Sequence, residues 1–290
     1  MSDPFQHDPF QADSASSLPQ AEVQTVSRDA YAPAEPPGQR HLSEWDPRYA
    51  PGTYALLAVN IAVFLWMVLH GVSASYPTTL QLRHFGANSA DLVLNHGQWY
   101  RLLTATFVHI GLLHIATNMW CLWNLGLLGE PLLGPWGLIA VYILTGVAGN
   151  LLSVAWDVLN AHLHHVPLVL VSGVGAGASG AVFGIAGILI VLLSNRRLPI
   201  PWSELSRLRR SVVQFAAINL VIGAVTLVAG PIRIDNSAHI GGFLCGLALG
   251  PGLVPRMTAG RTGYLARQKL VFVLAALALS LFGYWIANFK

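Results

Sequence analysis

The strongest constraint on the fold is a series of seven apolar stretches that begins near Tyr54 and continues almost to the last residue. A helix needs about 20 apolar residues to cross the roughly 30 Å hydrocarbon core of a bilayer, and each stretch approaches that length. We place the spans at residues 53–70, 108–128, 136–156, 174–194, 211–230, 236–254 and 270–289. The sequence therefore predicts an all-α polytopic membrane protein.

The composition excludes an ordinary soluble enzyme. Hydrophobic residues make up 54% of the chain and charged residues only 10%, whereas soluble domains carry about 25% charged residues. The net charge of +3 is weak evidence for nucleic-acid binding, because basic residues beside membrane spans act as topology signals. We expect a lipid bilayer as the surroundings and no nucleic-acid partner.

The chain divides into three predicted regions. Residues 1–50 contain seven prolines and little apolar sequence, which predicts a disordered cytoplasmic tail. No signal peptide is expected, since the first apolar run begins only near Tyr54. Residues 51–255 form a predicted six-span core, and residues 256–290 a linker with a seventh transmembrane helix.

The distribution of basic residues predicts the orientation. With the N-terminus in the cytoplasm, twelve Lys and Arg residues fall on the inner side and four on the outer side. This split follows the positive-inside rule and predicts a C-terminus outside. We expect a multi-pass protein of a bacterial plasma membrane.

Polar side chains inside membrane spans are costly and are candidates for function. Gly177-Ala178-Ser179-Gly180 opens the fourth predicted span, and Ala238-His239 begins the sixth, followed by Gly242 on the face of His239. In the second span, His114 and Asn118 lie four residues apart and share one face. Taken singly, each group also fits a structural role: close helix packing, a histidine bonded to a backbone carbonyl, or mutual hydrogen bonding.

Depth in the membrane favours a shared site. With the N-terminus inside, all three spans enter from the outer surface. At 1.5 Å per residue, Ser179, His239 and His114 then lie about 8, 5 and 9 Å below the starts of their spans. Polar groups on three helices therefore converge in the outer third of the membrane.

Serine and histidine at one site predict nucleophilic catalysis. The imidazole of His239 would take the proton of the Ser179 hydroxyl as it attacks a carbonyl, and then return it to the leaving amine. Asp235 precedes His239 by one turn, but it is expected to cap the sixth helix, so a dyad is predicted. His114, Asn118 and the backbone N–H of Ser179 are candidate donors to the oxyanion.

These motifs, in this order, resemble the rhomboid intramembrane serine proteases over roughly residues 52–255. Further similarities are Trp99 with Arg101, His109 before His114, and Glu130-x-x-x-Gly134. The resemblance implies a six-helix rhomboid-like core plus one C-terminal transmembrane helix. It also implies a Ser179–His239 dyad, an oxyanion hole from His114, Asn118 and the Ser179 N–H, supporting glycines at 177, 180 and 242, and no cofactor. Single-pass membrane proteins, cleaved near or within their transmembrane helix, would be the substrates.

Two other functions remain open. A catalytically silent rhomboid-like protein would bind transmembrane helices for quality control, and a transporter or proton channel would also use buried polar residues. A metal site at His162, His164 and His165 lacks partners other than Asp157, so these histidines are expected to lie in an exposed loop and no metal is predicted.

Overall fold

The computed structural model describes residues 46–196, 198–229, 235–255 and 260–289. The predicted tail up to residue 45 and residues 256–259 of the predicted linker lie outside this part of the chain. Eleven helices occur in the described residues, in the following order. They are α1 (Pro51–Leu69), α2 (Thr79–His84), α3 (Ala90–Leu94), α4 (Arg101–Thr104), α5 (Leu112–Leu133), α6 (Pro135–His164), α7 (Leu168–Val171), α8 (Ser179–Leu192), α9 (Trp202–Ala229), α10 (Asn236–Leu253) and α11 (Gly260–Phe289).

Seven of the helices, α1, α5, α6, α8, α9, α10 and α11, correspond to the seven predicted spans, and the protein is an all-α polytopic membrane protein. By length and apolar composition alone, four of them could cross a bilayer: α1, α6, the first 24 residues of α9, and α11. Helix α5 carries polar side chains along its length, α10 begins with a polar first turn, and α8 has only 14 residues. At 1.5 Å per residue, α8 is about 21 Å long, so it is too short to span the membrane by itself.

The short helix α8 lies at the centre of the bundle. It packs against α10, α6, α5 and α9, and Ile185, Ile188 and Leu189 on its successive turns are fully buried. A helix that is apolar all round is buried by its neighbours. The surrounding helices therefore hold the first residue of α8 at a fixed depth inside the protein.

A buried carboxyl group joins the start of α1 to the end of α5. Glu130 is 4% exposed and accepts hydrogen bonds from the backbone N–H groups of Gly52 (2.8 Å) and Thr53 (2.7 Å) and from the Thr53 hydroxyl (2.7 Å). These N–H groups are among the four that a helix leaves unpaired at its N-terminus. Glu130 therefore caps α1 from another helix.

We expect Glu130→Ala to lower the free energy of unfolding by about 3 kcal/mol or more, because each buried donor left unpaired costs about 1–3 kcal/mol. Unfolding in mixed detergent micelles would measure the change. Glu204→Ala is the matched control, since it removes an exposed ion pair with Arg207 on α9 and such pairs contribute about 0–1 kcal/mol. Equal losses in the two variants would contradict the capping role.

The seventh long helix, α11, packs on α6 and α10. Its buried Gln268 donates to the carbonyl of Leu133 (2.9 Å), and the Tyr264 hydroxyl donates to that of Leu132 (3.1 Å), so both side chains pair with carbonyls at the end of α5. The helix begins at Gly260, ten residues before the predicted span. The helix is longer than the predicted span because its first turns, which carry Arg261, Arg267 and Lys269, are too polar to be recognised from the sequence as part of it.

Candidate active site

Ser179 is the first residue of α8. The span was predicted to begin at residue 174, and this was wrong as a helix boundary, because Gly177 has a left-handed φ of +135°. The N–H of Gly177 donates to the carbonyl of Ala105 (2.9 Å) and that of Ala178 to Nε2 of His109 (3.3 Å). Non-helical chain, anchored to the segment before α5, therefore leads into Ser179.

His109 positions this loop, a role that the sequence analysis did not assign. Its ring is fully buried, and Nδ1 lies 3.1 Å from the carbonyl oxygen of Phe107. A carbonyl can only accept, so Nδ1 carries the proton and Nε2 is free to accept from Ala178. Its similarity to the rhomboid pattern, five residues before His114, pointed to this residue without indicating its role.

His114 lies against the same loop. Its Nδ1 is 3.2 Å from the backbone N–H of Ile110 and accepts from it, so the neutral ring carries its proton on Nε2. A methyl group at Gly177 would lie 2.6 Å from Cε1 and 3.0 Å from Nε2 of this ring. Only glycine fits there, and Nε2 of His114 lies beside the loop at Gly177, two residues before Ser179.

Asn118 follows His114 by one turn of α5 and is 6% exposed. Its amide donates to the backbone carbonyl of His114 at 2.9 Å. No hydrogen bond between Asn118 and Ser179 occurs in the described part of the chain. The two predicted oxyanion side chains thus share a face, and only His114 is seen against the loop before Ser179.

The backbones of α8 and α10 are in direct contact. A Cβ atom at Gly242 would overlap the carbonyl oxygen of Gly180, and one at Gly246 would overlap that of Gly184. At the start of the interface, a methyl group at Gly180 would lie 3.3 Å from the carbonyl oxygen of Ala238. Ala238, the residue before His239, therefore adjoins Gly180, the residue after Ser179.

His239 is buried, with 6% of its surface exposed, and stacks on Phe183 with ring centroids 4.4 Å apart and an interplanar angle of 13°. Phe183 follows Ser179 by four residues and shares its face of α8. Within the described residues, no hydrogen bond joins Ser179 to His239, and Nδ1 of His239 has no hydrogen-bond partner. The imidazole therefore lies beside the face that carries Ser179, without a direct bond to it.

Asp235 is the N-cap of α10, as predicted: its carboxyl group accepts from the N–H of Ala238 at 3.0 Å. At the start of α4, Arg101 is buried and donates to the carbonyls of Arg83 (2.7 Å) and Ala87 (2.9 Å). Next to it, Asn88 and Gly175 exchange two backbone hydrogen bonds, of 2.8 and 3.0 Å. The loop before Ser179 is thus supported by the segment that Arg101 organises.

The three clustered histidines are exposed, as predicted, but they lie at the end of a helix, so their placement in a loop was wrong. His162 and His164 lie in the last turn of α6, and His165 ends the helix with a left-handed φ of 52°. The helix continues past residue 156 because residues 157–164 contain neither Gly nor Pro to interrupt it. No group of three His, Cys, Asp or Glu side chains suited to a metal ion occurs in the described residues.

Comparison with known proteins identifies the family. Residues 96–256 match the Rhomboid domain. The chain belongs to the rhomboid family. It is 33% identical to the rhomboid protease AarA of Providencia stuartii over 202 residues, which cover 67% of this chain and 69% of AarA.

Two further relatives are longer than this chain. The rhomboid protease GluP of Bacillus subtilis is 32% identical over 195 residues, or 67% of this chain and 33% of GluP. RHOMBOID-like protein 1 of Arabidopsis thaliana is 30% identical over 175 residues, or 60% of this chain and 39% of that protein. The chain thus spans about a third of the length of GluP.

Proposed function

We propose that this rhomboid is an intramembrane serine endopeptidase that cleaves single-pass membrane proteins near or within their transmembrane helix. The observation that carries the proposal is the convergence of three helices at the first residue of α8. The ring of His114 lies against the loop before Ser179, and the ring of His239 lies beside the face that bears Ser179. The similarity to AarA and GluP, both named as proteases, supports the same activity.

In the proposed reaction, Ser179 Oγ attacks the scissile carbonyl carbon while His239 takes the hydroxyl proton. The carbonyl π electrons move to oxygen, and the resulting oxyanion accepts hydrogen bonds from the Ser179 N–H and from Nε2–H of His114. Asn118 would add a donor after its amide leaves the carbonyl of His114. Collapse of the intermediate breaks the C–N bond, His239 protonates the leaving amine, and water then hydrolyses the acyl-enzyme by the same route.

For this chemistry, the Ser179 hydroxyl and the His239 imidazole must come within hydrogen-bonding distance. A general base acts across about 2.6–3.2 Å, and such hydrogen bonds are commonly long in free enzymes and shorten when substrate binds. The position of Ser179 at the start of α8 contributes to catalysis in two ways. Its backbone N–H has no partner within the helix, and the positive end of the helix dipole lies there. Both features favour the negative charge of the intermediate.

The orientation that we propose has the N-terminus in the cytoplasm, the C-terminus outside and the Ser179 end of the bundle facing the outer surface of a bacterial plasma membrane. It rests on the asymmetry of Lys and Arg along the sequence. Substrates would reach Ser179 from the bilayer as helices that have unwound locally, because a helix hides its peptide bonds in hydrogen bonds between successive turns.

The test is cleavage in liposomes that contain the purified protein and a panel of single-span substrates. We expect cleavage near the end of the substrate's transmembrane span. The cleavage rate should be higher for substrates with Gly or Pro near this end, since these residues weaken the helix by about 1 and 3 kcal/mol. A fluorophosphonate should label Ser179 in the absence of substrate. Binding of substrates with neither cleavage nor labelling would contradict the proposal and favour a catalytically silent rhomboid-like protein.

A further inference from the structure

The carboxyl group of Asp235 makes more contacts than a helix cap requires. Its Oδ1 accepts from the N–H of Ala238 (3.0 Å) and from the hydroxyl of Ser237 (2.7 Å), both within the first turn of α10. The backbone carbonyl of Asp235 accepts from the N–H of His239 at 3.3 Å. One oxygen of the side chain is therefore enough to cap the turn that leads to His239.

The second oxygen, Oδ2, binds outside α10. It accepts from the hydroxyl of Ser153, which projects from the middle of α6, 82 residues earlier in the chain. A hydroxyl donating to a carboxylate is among the stronger hydrogen bonds in proteins. The start of α10 is thus attached to α6 by a side-chain bond in addition to packing.

The same oxygen adjoins the loop that carries Ser179. A methyl group at Gly175 would lie 3.4 Å from Oδ2 of Asp235, so the carboxyl group lies close to the loop backbone. Gly175 is in turn held by its two backbone hydrogen bonds with Asn88. One carboxyl group therefore bonds to α6 and lies beside the loop before Ser179, while its own residue caps the helix of His239.

Close backbone packing of α10 begins at Ala238, whose carbonyl oxygen would lie 2.5 Å from a methyl group at Gly149 of α6 and 3.3 Å from one at Gly180 of α8. Asp235 precedes these contacts, at the end of α10 where helices fray. A displacement of about 1 Å at a reacting group can cost about 10² in rate. An anchor at Asp235 acts at the end of the helix where such a displacement would occur.

We propose that Asp235 and Ser153 are positioning residues that set the first turn of α10, and with it His239, relative to Ser179. This role rests on the proposed function. It differs from that of a catalytic carboxylate, because Asp235 binds the N–H of Ala238, Ser237 and Ser153 rather than the imidazole. The hydrogen bond between Ser153 and Asp235 affects the rate of proteolysis because it positions the base, His239.

Ser153→Ala is the decisive variant, because Asp235→Ala also removes the helix cap and would lower stability. Ser237→Ala is the matched control: it removes a hydroxyl bonded to the same carboxyl group but from within α10. We expect Ser153→Ala to lower kcat about 10-fold with KM within 2-fold of wild type, Ser237→Ala to stay within 2-fold in both, and Ser153→Thr to recover most of kcat. The rate at which a fluorophosphonate labels Ser179 should fall in parallel with kcat, since labelling needs the dyad but no substrate helix.

The outcomes separate the two proposals. A wild-type protein labelled at Ser179, with equal labelling rates in Ser153→Ala and Ser237→Ala, would overturn the positioning role and leave the proposed function intact. If Ser153→Ala changed KM and left kcat unaltered, the positioning role would be overturned as well. A wild-type protein that is neither labelled nor active would contradict the proposed function, and the positioning role would be lost with it.

Discussion

Replacing Ser179 by alanine is expected to reduce cleavage of a single-span substrate by at least about 10⁴-fold, because it removes the nucleophile of the proposed reaction. The variant should fold like the wild type, since the Ser179 hydroxyl makes no hydrogen bond within the described chain. His239→Ala should lose a similar factor through the absence of the base. The double variant should be no slower than either single one, because residues that act as a unit are not additive.

A graded series distinguishes catalysis from structure. His114→Ala should cost about 10²–10³ in kcat, the usual loss for one oxyanion donor, and therefore less than either dyad variant. Ser194→Ala is the control, since the hydroxyl of Ser194 lies just beyond the other end of α8 and bonds to the carbonyl of Ile190. Initial rates in liposomes, with circular dichroism of each variant, provide the measurement. Full activity in Ser179→Ala would refute the dyad.

The order of the spans could be predicted from the sequence because it depends on local composition. Apolar runs of sufficient length must be helical in a bilayer, where backbone groups have no water to bind, and α1 and α10 lie within two residues of the predicted bounds. The motifs also placed Ser179, His239 and His114 on three separate helices. The order of the spans and the helix that carries each motif are both determined by residues close together in the sequence.

The start of α8 and the capping of α1 could not be predicted from the sequence, because both depend on contacts between residues far apart in the chain. The small-residue segment before Ser179 was included in the predicted span. Helix α8 starts after it because Ala105 and His109, some 70 residues away, bind the N–H groups of Gly177 and Ala178. Likewise, the capping of α1 by Glu130 joins residues 77 and 78 apart. Both depend on which surfaces meet after folding, and a single sequence carries no direct record of that.

Gly242→Ala is expected to lower proteolysis by at least about 10²-fold and to destabilise the protein by about 1–3 kcal/mol. The new Cβ would overlap the carbonyl oxygen of Gly180, and a backbone atom cannot rotate away as a side chain can. Overpacking of a close interface costs about 1–3 kcal/mol, and α10 would have to move away from α8. That movement carries His239, three residues before Gly242, away from the helix that begins with Ser179.

Gly129→Ala on α5 is the matched control for this prediction. A methyl group there would lie 3.5 Å from the nearest atom, a side-chain carbon of Leu138, which is an ordinary contact. Since alanine is a better helix former than glycine by about 1 kcal/mol, this variant should keep full activity and equal or higher stability. If the two variants behaved alike in rate and in unfolding, close backbone contact between α8 and α10 would not be what holds the dyad together.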